Sequence, residues 1–109
     1  MRDKISLIVP CFNEQEVLPI FYEETVKVID TVDADFEFIF VDDGSKDNTI
    51  LIMRELAERD SRVTYISFSR NFGKEAAMYA GLENSTGDWC IVMDSDMQDP
   101  PSLIPQMYH

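Results

Sequence analysis

Four short apolar runs, rich in β-branched and aromatic residues, alternate along this chain with segments whose apolar residues recur every three or four positions. The runs are KISLIVP (4–10), FEFIFVDDGS (36–45), RVTYISFS (62–69) and DWCIVMD (88–94). They are nearly continuous in apolar character rather than alternating, as strands buried on both faces are. Between them, 13–32 carries Val17, Leu18, Phe21, Val28 and Ile29 at helical spacing, with Pro19 near the first turn, where it is tolerated. Segment 45–60 opens on capping residues and places Ile50, Leu51, Met53, Leu56 and Ala57 on one face. Segment 73–84 is an alanine-rich helix stopped by Ser85-Thr86-Gly87, and 100–108 begins a further helix. The order β-α-β-α-β-α-β predicts an α/β fold: a Rossmann-like parallel sheet with helices on both faces, cut after about four strands. Right-handed crossovers bring the C-terminal ends of all strands to one rim, where open α/β sheets bind ligands.

Polar residues collect at that rim. The first strand ends at Pro10, Phe12, Asn13 and Glu14, and the second at Asp42 and Asp43. The third leads into Arg70, Asn71 and Lys74, and the fourth into Asp94, Asp96, Gln98 and Asp99. A carboxylate at the end of an apolar strand loses hydration and needs a donor or a cation. Asp94 and Asp96 are two apart, so in extended chain both project to one side and can share a hard divalent ion, Mg²⁺ or Mn²⁺, with Gln98 adding a neutral oxygen. Asp43 can accept from a base N–H or a ribose hydroxyl, or cap the next helix. Arg70 and Lys74 can meet phosphate or pair with acids. Phe12 and Phe72 can flank a base or simply pack.

The 109 residues include 21 acids and nine lysines and arginines, a net charge of −12. That excludes nucleic acid and anionic membrane surfaces as electrostatic partners. It also repels a free polyphosphate unless a cation stands between, which explains why acids gather where a diphosphate would sit. Cys11 and Cys90 fit neither a metal site nor a disulfide scaffold and are expected to be buried thiols in a reducing compartment. No apolar run reaches the ~18–20 residues of a membrane span, and the N-terminus lacks a signal peptide, so the chain as it stands is expected to be soluble and cytoplasmic.

Taken together, VPCFNE, FVDDGSKDNT, SRNFGKEAAMYAGL and GDWCIVMDSDMQDPP resemble the family 2 glycosyltransferases of GT-A fold. The similarity is to the branch of dolichyl-phosphate mannose synthase and bacterial polyprenyl-phosphate sugar transferases. The resemblance covers residues 1–109 as the N-terminal, nucleotide-sugar-binding part of such a domain. It implies that Pro10, Phe12 and Glu14 line the base and ribose pocket, Phe12 replacing a common Tyr and losing its hydroxyl. It implies that Asp43 reads the base edge, that Arg70 and Lys74 lie near the donor phosphates, and that Asp94 binds both donor and metal. Asp96 and Gln98 complete the Mg²⁺ or Mn²⁺ site. The implied donor is a UDP- or GDP-linked sugar, transferred with inversion to a lipid phosphate or glycan. The implied catalytic base lies beyond His109, and the longer protein sits at the cytoplasmic face of the membrane. The fragment is expected to bind donor nucleotide without turnover. The alternative is a receiver-like or regulatory nucleotide-binding module, although a receiver would carry its acid pair after the first strand.

Overall fold

The computed structural model describes residues 3–93. Its elements are β1 (Lys4–Cys11), α1 (Leu18–Ile29), β2 (Asp35–Asp42), α2 (Thr49–Arg59), β3 (Val63–Ser67), α3 (Lys74–Glu83) and β4 (Trp89–Val92). The expected alternation is present throughout, and the helix expected at 100–108 lies outside the described residues. The four strands form one parallel sheet in the order β3-β2-β1-β4. The reversal of direction between β3 and β4 sends α3 across the face opposite α1 and α2, as right-handed crossovers require.

Strand parity sorts the side chains. Ile5, Leu7 and Val9 of β1 and Phe36, Phe38 and Phe40 of β2 bury against Leu18, Phe21 and Ile29 of α1 and Met53 and Leu56 of α2. Phe38 is stacked on Phe40 with ring centroids 5.6 Å apart, and Tyr22 tilts onto Phe38 at 5.4 Å. On the other face Ile39 and Val41 meet Ala77 and Ala80 of α3. Gly81 lies so close to the sheet that a Cβ would stand 2.4 Å from Cγ2 of Ile8.

Some local expectations shift. Helix α1 begins at Leu18 rather than at Asn13, with Pro19 in its first two positions. Residues 13–17 instead form a loop whose Asn13 takes a φ of 54°. Strand β1 passes through Pro10 to Cys11. Ile8, of the same parity as Pro10, turns its carbonyl to β4 by accepting the Met93 N–H at 2.9 Å. The missing Pro10 N–H therefore costs no bond to β2. Leu51 points outward, 51% exposed. Cys11 is buried as expected, but Cys90 is exposed, because β4 pairs with β1 alone among the described residues. No helix among the described residues is long and apolar enough to cross a membrane.

Candidate functional site

The C-terminal rim is built from three loops tied to one another. The loop after β1 is stitched to the loop after β2 by bonds in both directions. The Asn13 N–H donates to Ser45 Oγ and the Lys46 N–H to Asn13 Oδ1, both at 2.8 Å. The Glu14 N–H donates to Thr49 Oγ1 at 2.9 Å, and the Asn48 N–H to Gln15 Oε1 at 2.9 Å. Asp47 accepts from Gln15 N–H and from the N–H and hydroxyl of Thr49. Burial would raise its pKa, but these bonds outweigh burial and hold the carboxyl below its ordinary value.

The loop after β3 is seated on the end of β2. Asp43, 4% exposed, accepts the Phe72 N–H on one carboxylate oxygen at 2.8 Å and the Gly73 N–H on the other at 3.2 Å. Its backbone carbonyl accepts from Asn71 Nδ2 at 3.3 Å. Gly44 has φ 74°, and a Cβ there would stand 2.3 Å from the Arg70 carbonyl carbon, so only glycine permits this approach. A carboxylate at the start of α3 also complements the helix dipole. Two N–H groups at that helix start are thus taken by Asp43 and are not available to a phosphate. Each Asp43 oxygen retains a second lone pair.

Asp42, one residue earlier, faces the opposite way. It is 3% exposed, its Oδ1 accepts the Ser45 N–H at 3.1 Å, and its Oδ2 accepts no hydrogen bond from the described residues. It forms part of the floor of a cleft of about 440 Å³ walled by Phe12, Lys46, Ser67, Phe68 and Arg70. Phe12 is 42% exposed beside it. The Arg70 guanidinium lies over the Phe72 ring, 4.7 Å from its centroid, and Phe72 packs edge-on to Phe68.

Of the residues singled out from the sequence, Phe12 and Arg70 therefore line one cleft. Asp43 holds the loop between Arg70 and Lys74, and Lys74 opens α3. Glu14 lines a separate depression of about 380 Å³ with Asn13, Gln15 and Asp47. Pro10 is half-buried near the end of β1. Asp94, Asp96 and Gln98 lie outside the described residues. Among the described residues no group of three or more His, Cys, Asp or Glu side chains is placed to hold a metal. Asp42 was placed at the rim from the sequence but given no role, and Lys46, which also lines the cleft, was not singled out. The signal for Asp42 was its parity, shared with Phe38 and Phe40 and opposite to Asp43.

The model for glycosyl transferase family 2 matches residues 6–109. A bactoprenol glucosyl transferase of Shigella phage SfX is 48% identical over 104 residues, which make up 95% of this chain and 34% of that protein. An undecaprenyl-phosphate 4-deoxy-4-formamido-L-arabinose transferase of Proteus mirabilis is 39% identical over 106 residues, 96% of this chain and 32% of the other. The chain thus spans about a third of the length of these curated relatives. Among solved structures, a mannosyltransferase from Pyrobaculum calidifontis in complex with GDP-Man and Mn²⁺ matches with a TM-score of 0.69 at 28% identity, covering 88% of this chain and 28% of that one. The parallel sheet, the polar loops gathered on its C-terminal rim and a family match running to the last residue lead to one conclusion: the chain belongs to glycosyl transferase family 2.

Proposed function

We propose that this chain forms the donor-nucleotide-binding part of a transferase that moves a sugar, with inversion, from a UDP- or GDP-linked donor to a polyprenyl phosphate. The observation that carries this reading is the cleft over Asp42, where a buried carboxylate oxygen without a partner among the described residues lies beside the exposed ring of Phe12 and the cation of Arg70. A flat ring with N–H donors suits that carboxylate and aromatic pair, and a phosphate suits the cation. The GDP-Man and Mn²⁺ bound by the Pyrobaculum enzyme support the same class of ligand.

The residues take roles in this proposal according to their surroundings. Phe12 and Pro10 form the apolar side of the base and ribose pocket, with Glu14 at its edge. Asp43 has both oxygens on the backbone of the Arg70 loop, so it presents Arg70 and Lys74 to the diphosphate while sharing its remaining lone pairs with the base. Asp94, Asp96 and Gln98 offer hard oxygen donors for Mg²⁺ or Mn²⁺. When bound, the cation supplies neutralisation of charge on the leaving nucleoside diphosphate. A lipid phosphate acceptor is already anionic at neutral pH and needs little help from a base, and the carboxylate base of the whole protein falls beyond His109. The longer protein works at the cytoplasmic face of the membrane, where such an acceptor is held.

A thermal-shift panel of nucleoside diphosphates with and without Mn²⁺ tests the reading. The expected result is a rise in Tm with UDP or GDP that requires Mn²⁺ and is lost in Asp96→Ala. No rise with any nucleotide removes the donor site and leaves the fold and family. The chain alone is expected to bind without turnover, and sugar transfer by it would overturn the assignment of the base to the rest of the protein.

A further inference from the structure

A second polar cluster lies on the α3 face, near the start of the strands and away from the cleft. Ser6 and Glu37 are register partners on β1 and β2. Ser6 is fully buried, and the Glu37 side chain is only 13% exposed. The Ser6 hydroxyl donates to Glu37 Oε2. The same carboxylate oxygen accepts the Thr86 N–H at 2.7 Å, and the Thr86 hydroxyl lies 3.1 Å from both carboxylate oxygens. Ser6 Oγ in turn accepts the Gly87 N–H at 2.9 Å. Lys4 Nζ donates to Thr86 Oγ1 at 2.6 Å and lies 3.8 Å from Glu37 Oε1. Asp88 closes the set, its N–H donating to the Lys4 carbonyl at 2.6 Å and its Oδ2 accepting the Lys4 N–H at 2.9 Å. A Cβ on Gly87 would stand 2.6 Å from Ser6 Oγ, so the segment lies hard against the strand.

These contacts join residues 86–88, which lead into β4, to β1 and β2. Beyond its backbone ladder to β1, the strand they introduce has few other ties among the described residues. It is four residues long, pairs with β1 alone among the described residues, and exposes Trp89 and Cys90. Only the half-buried Ile91 and Val92 and the buried Met93 give it apolar purchase. A slip of one residue would move the strand by about 3.3 Å and reverse the face of every side chain on it. Asp94 follows Met93 in the chain, so the register of β4 fixes the point, Met93, from which the chain runs on to Asp94 and Asp96.

We propose that Glu37, acting with Ser6 on the Thr86–Gly87 backbone, is a positioning residue for the donor site that sets the register of β4. This rests on the donor-site reading of Asp94 and Asp96. The acid suits the task because its two oxygens, with four lone pairs, take a hydroxyl, a backbone N–H and a second hydroxyl at once. Its pKa lies below the ordinary value: burial opposes the charge, but the Ser6 and Thr86 bonds and the Lys4 ammonium outweigh it.

The test compares Glu37→Gln and Glu37→Ala with Val63→Ala, which loosens the opposite edge strand and leaves β4 alone. Urea unfolding fixes the stability of each variant. Amide hydrogen exchange at Cys90, Ile91 and Val92, and calorimetric titration with UDP or GDP in Mn²⁺, then read the clamp and the site separately. Glu37→Ala is expected to speed exchange in β4 well beyond its effect on β2 and to weaken nucleotide binding about tenfold or more, the scale seen when groups that orient a ligand set are removed. Glu37→Gln keeps an acceptor for Thr86 and should fall between Glu37→Ala and the unmodified chain. Val63→Ala should change neither readout beyond its global destabilisation. Exchange or binding that tracks global stability equally in all three variants overturns the proposal. If the unmodified chain binds no nucleotide, the donor-site reading falls and the positioning role with it, while exchange still reports whether the clamp holds β4.

Discussion

The two faces of the sheet are built on different physical terms. On the α1/α2 face three phenylalanines of β2 and three aliphatic residues of β1 meet large side chains from both helices in one buried apolar layer. On the α3 face the helix itself offers Ile8, Ile39 and Val41 alanines and a glycine, with Ile66 and Phe68 packed alongside, and the layer gives way to the Ser6–Glu37 cluster. The first face supplies cohesion through buried area. The second supplies close approach and directional bonds, which hold less apolar surface but determine where backbone segments lie. Glu37 of β2 and Asp43 just beyond its end both lie on this second face, and both grip the backbone of a neighbouring segment, one near each end of α3.

Phe38→Ala should break the comparison hardest. Phe38 is fully buried between Tyr22 and Phe40, so its removal is expected to cost ~3–5 kcal/mol by urea denaturation. A loss under about 1 kcal/mol would show that the apolar face is not the main source of stability. Gly81→Ala sharpens the other side. In an exposed helix this change would stabilise by ~1 kcal/mol. Here the new methyl meets Ile8, a buried β-branched side chain with little freedom to yield, and the expected outcome is a net loss of ~1–2 kcal/mol. A gain in Tm would mean that α3 is free to ride up from the sheet.

The smallest effect is electrostatic. Asp60 accepts the Tyr22 hydroxyl at 2.6 Å and a forked pair of bonds from the Arg62 guanidinium. Burial opposes its charge, but Arg62 and Tyr22 together bring its pKa from 3.8 down to about 2. A carboxyl with a depressed folded-state pKa stabilises the protein above its unfolded value, and the contribution is lost as pH falls through the folded value. Stability should therefore decline between about pH 4 and pH 2, by on the order of 1 kcal/mol from this tie, because Arg62 is partly exposed and solvent screens the pair. Urea midpoints across that window should fall less steeply in Asp60→Asn. Glu37 is shifted in the same direction, so the α3 face should also loosen as acid protonates it. An unfolding midpoint that is flat from pH 5 to 2 would sink both ties.

Much of the candidate rim was legible along the chain because strand ends are local features. The apolar run ending in DD marks it directly, the run ending in DSD leads outside the described residues, and the family resemblance orders the four motifs. The division of labour between Asp42 and Asp43 was less legible, since it turns on which face each enters and on a loop some thirty residues away. The Ser6–Glu37 cluster gave even less signal. A serine and a glutamate inside apolar strands look like tolerated exceptions until Thr86 and Gly87 arrive beside them.

The sequence by itself determined the order of elements, the parallel sense of the sheet, the rim where polar residues gather and the family. These follow from periodicity, turn residues and chain connectivity, all of which act over a few residues. Only the tertiary structure decided that Cys90 is exposed, that one face is packed with large apolar side chains and the other carries a polar cluster, and that Glu37 and Asp43 each hold a distant backbone. Those outcomes depend on contacts between residues as far apart in the chain as Ile8 and Met93, and the energy of such a contact exists only once the sheet has brought both partners together.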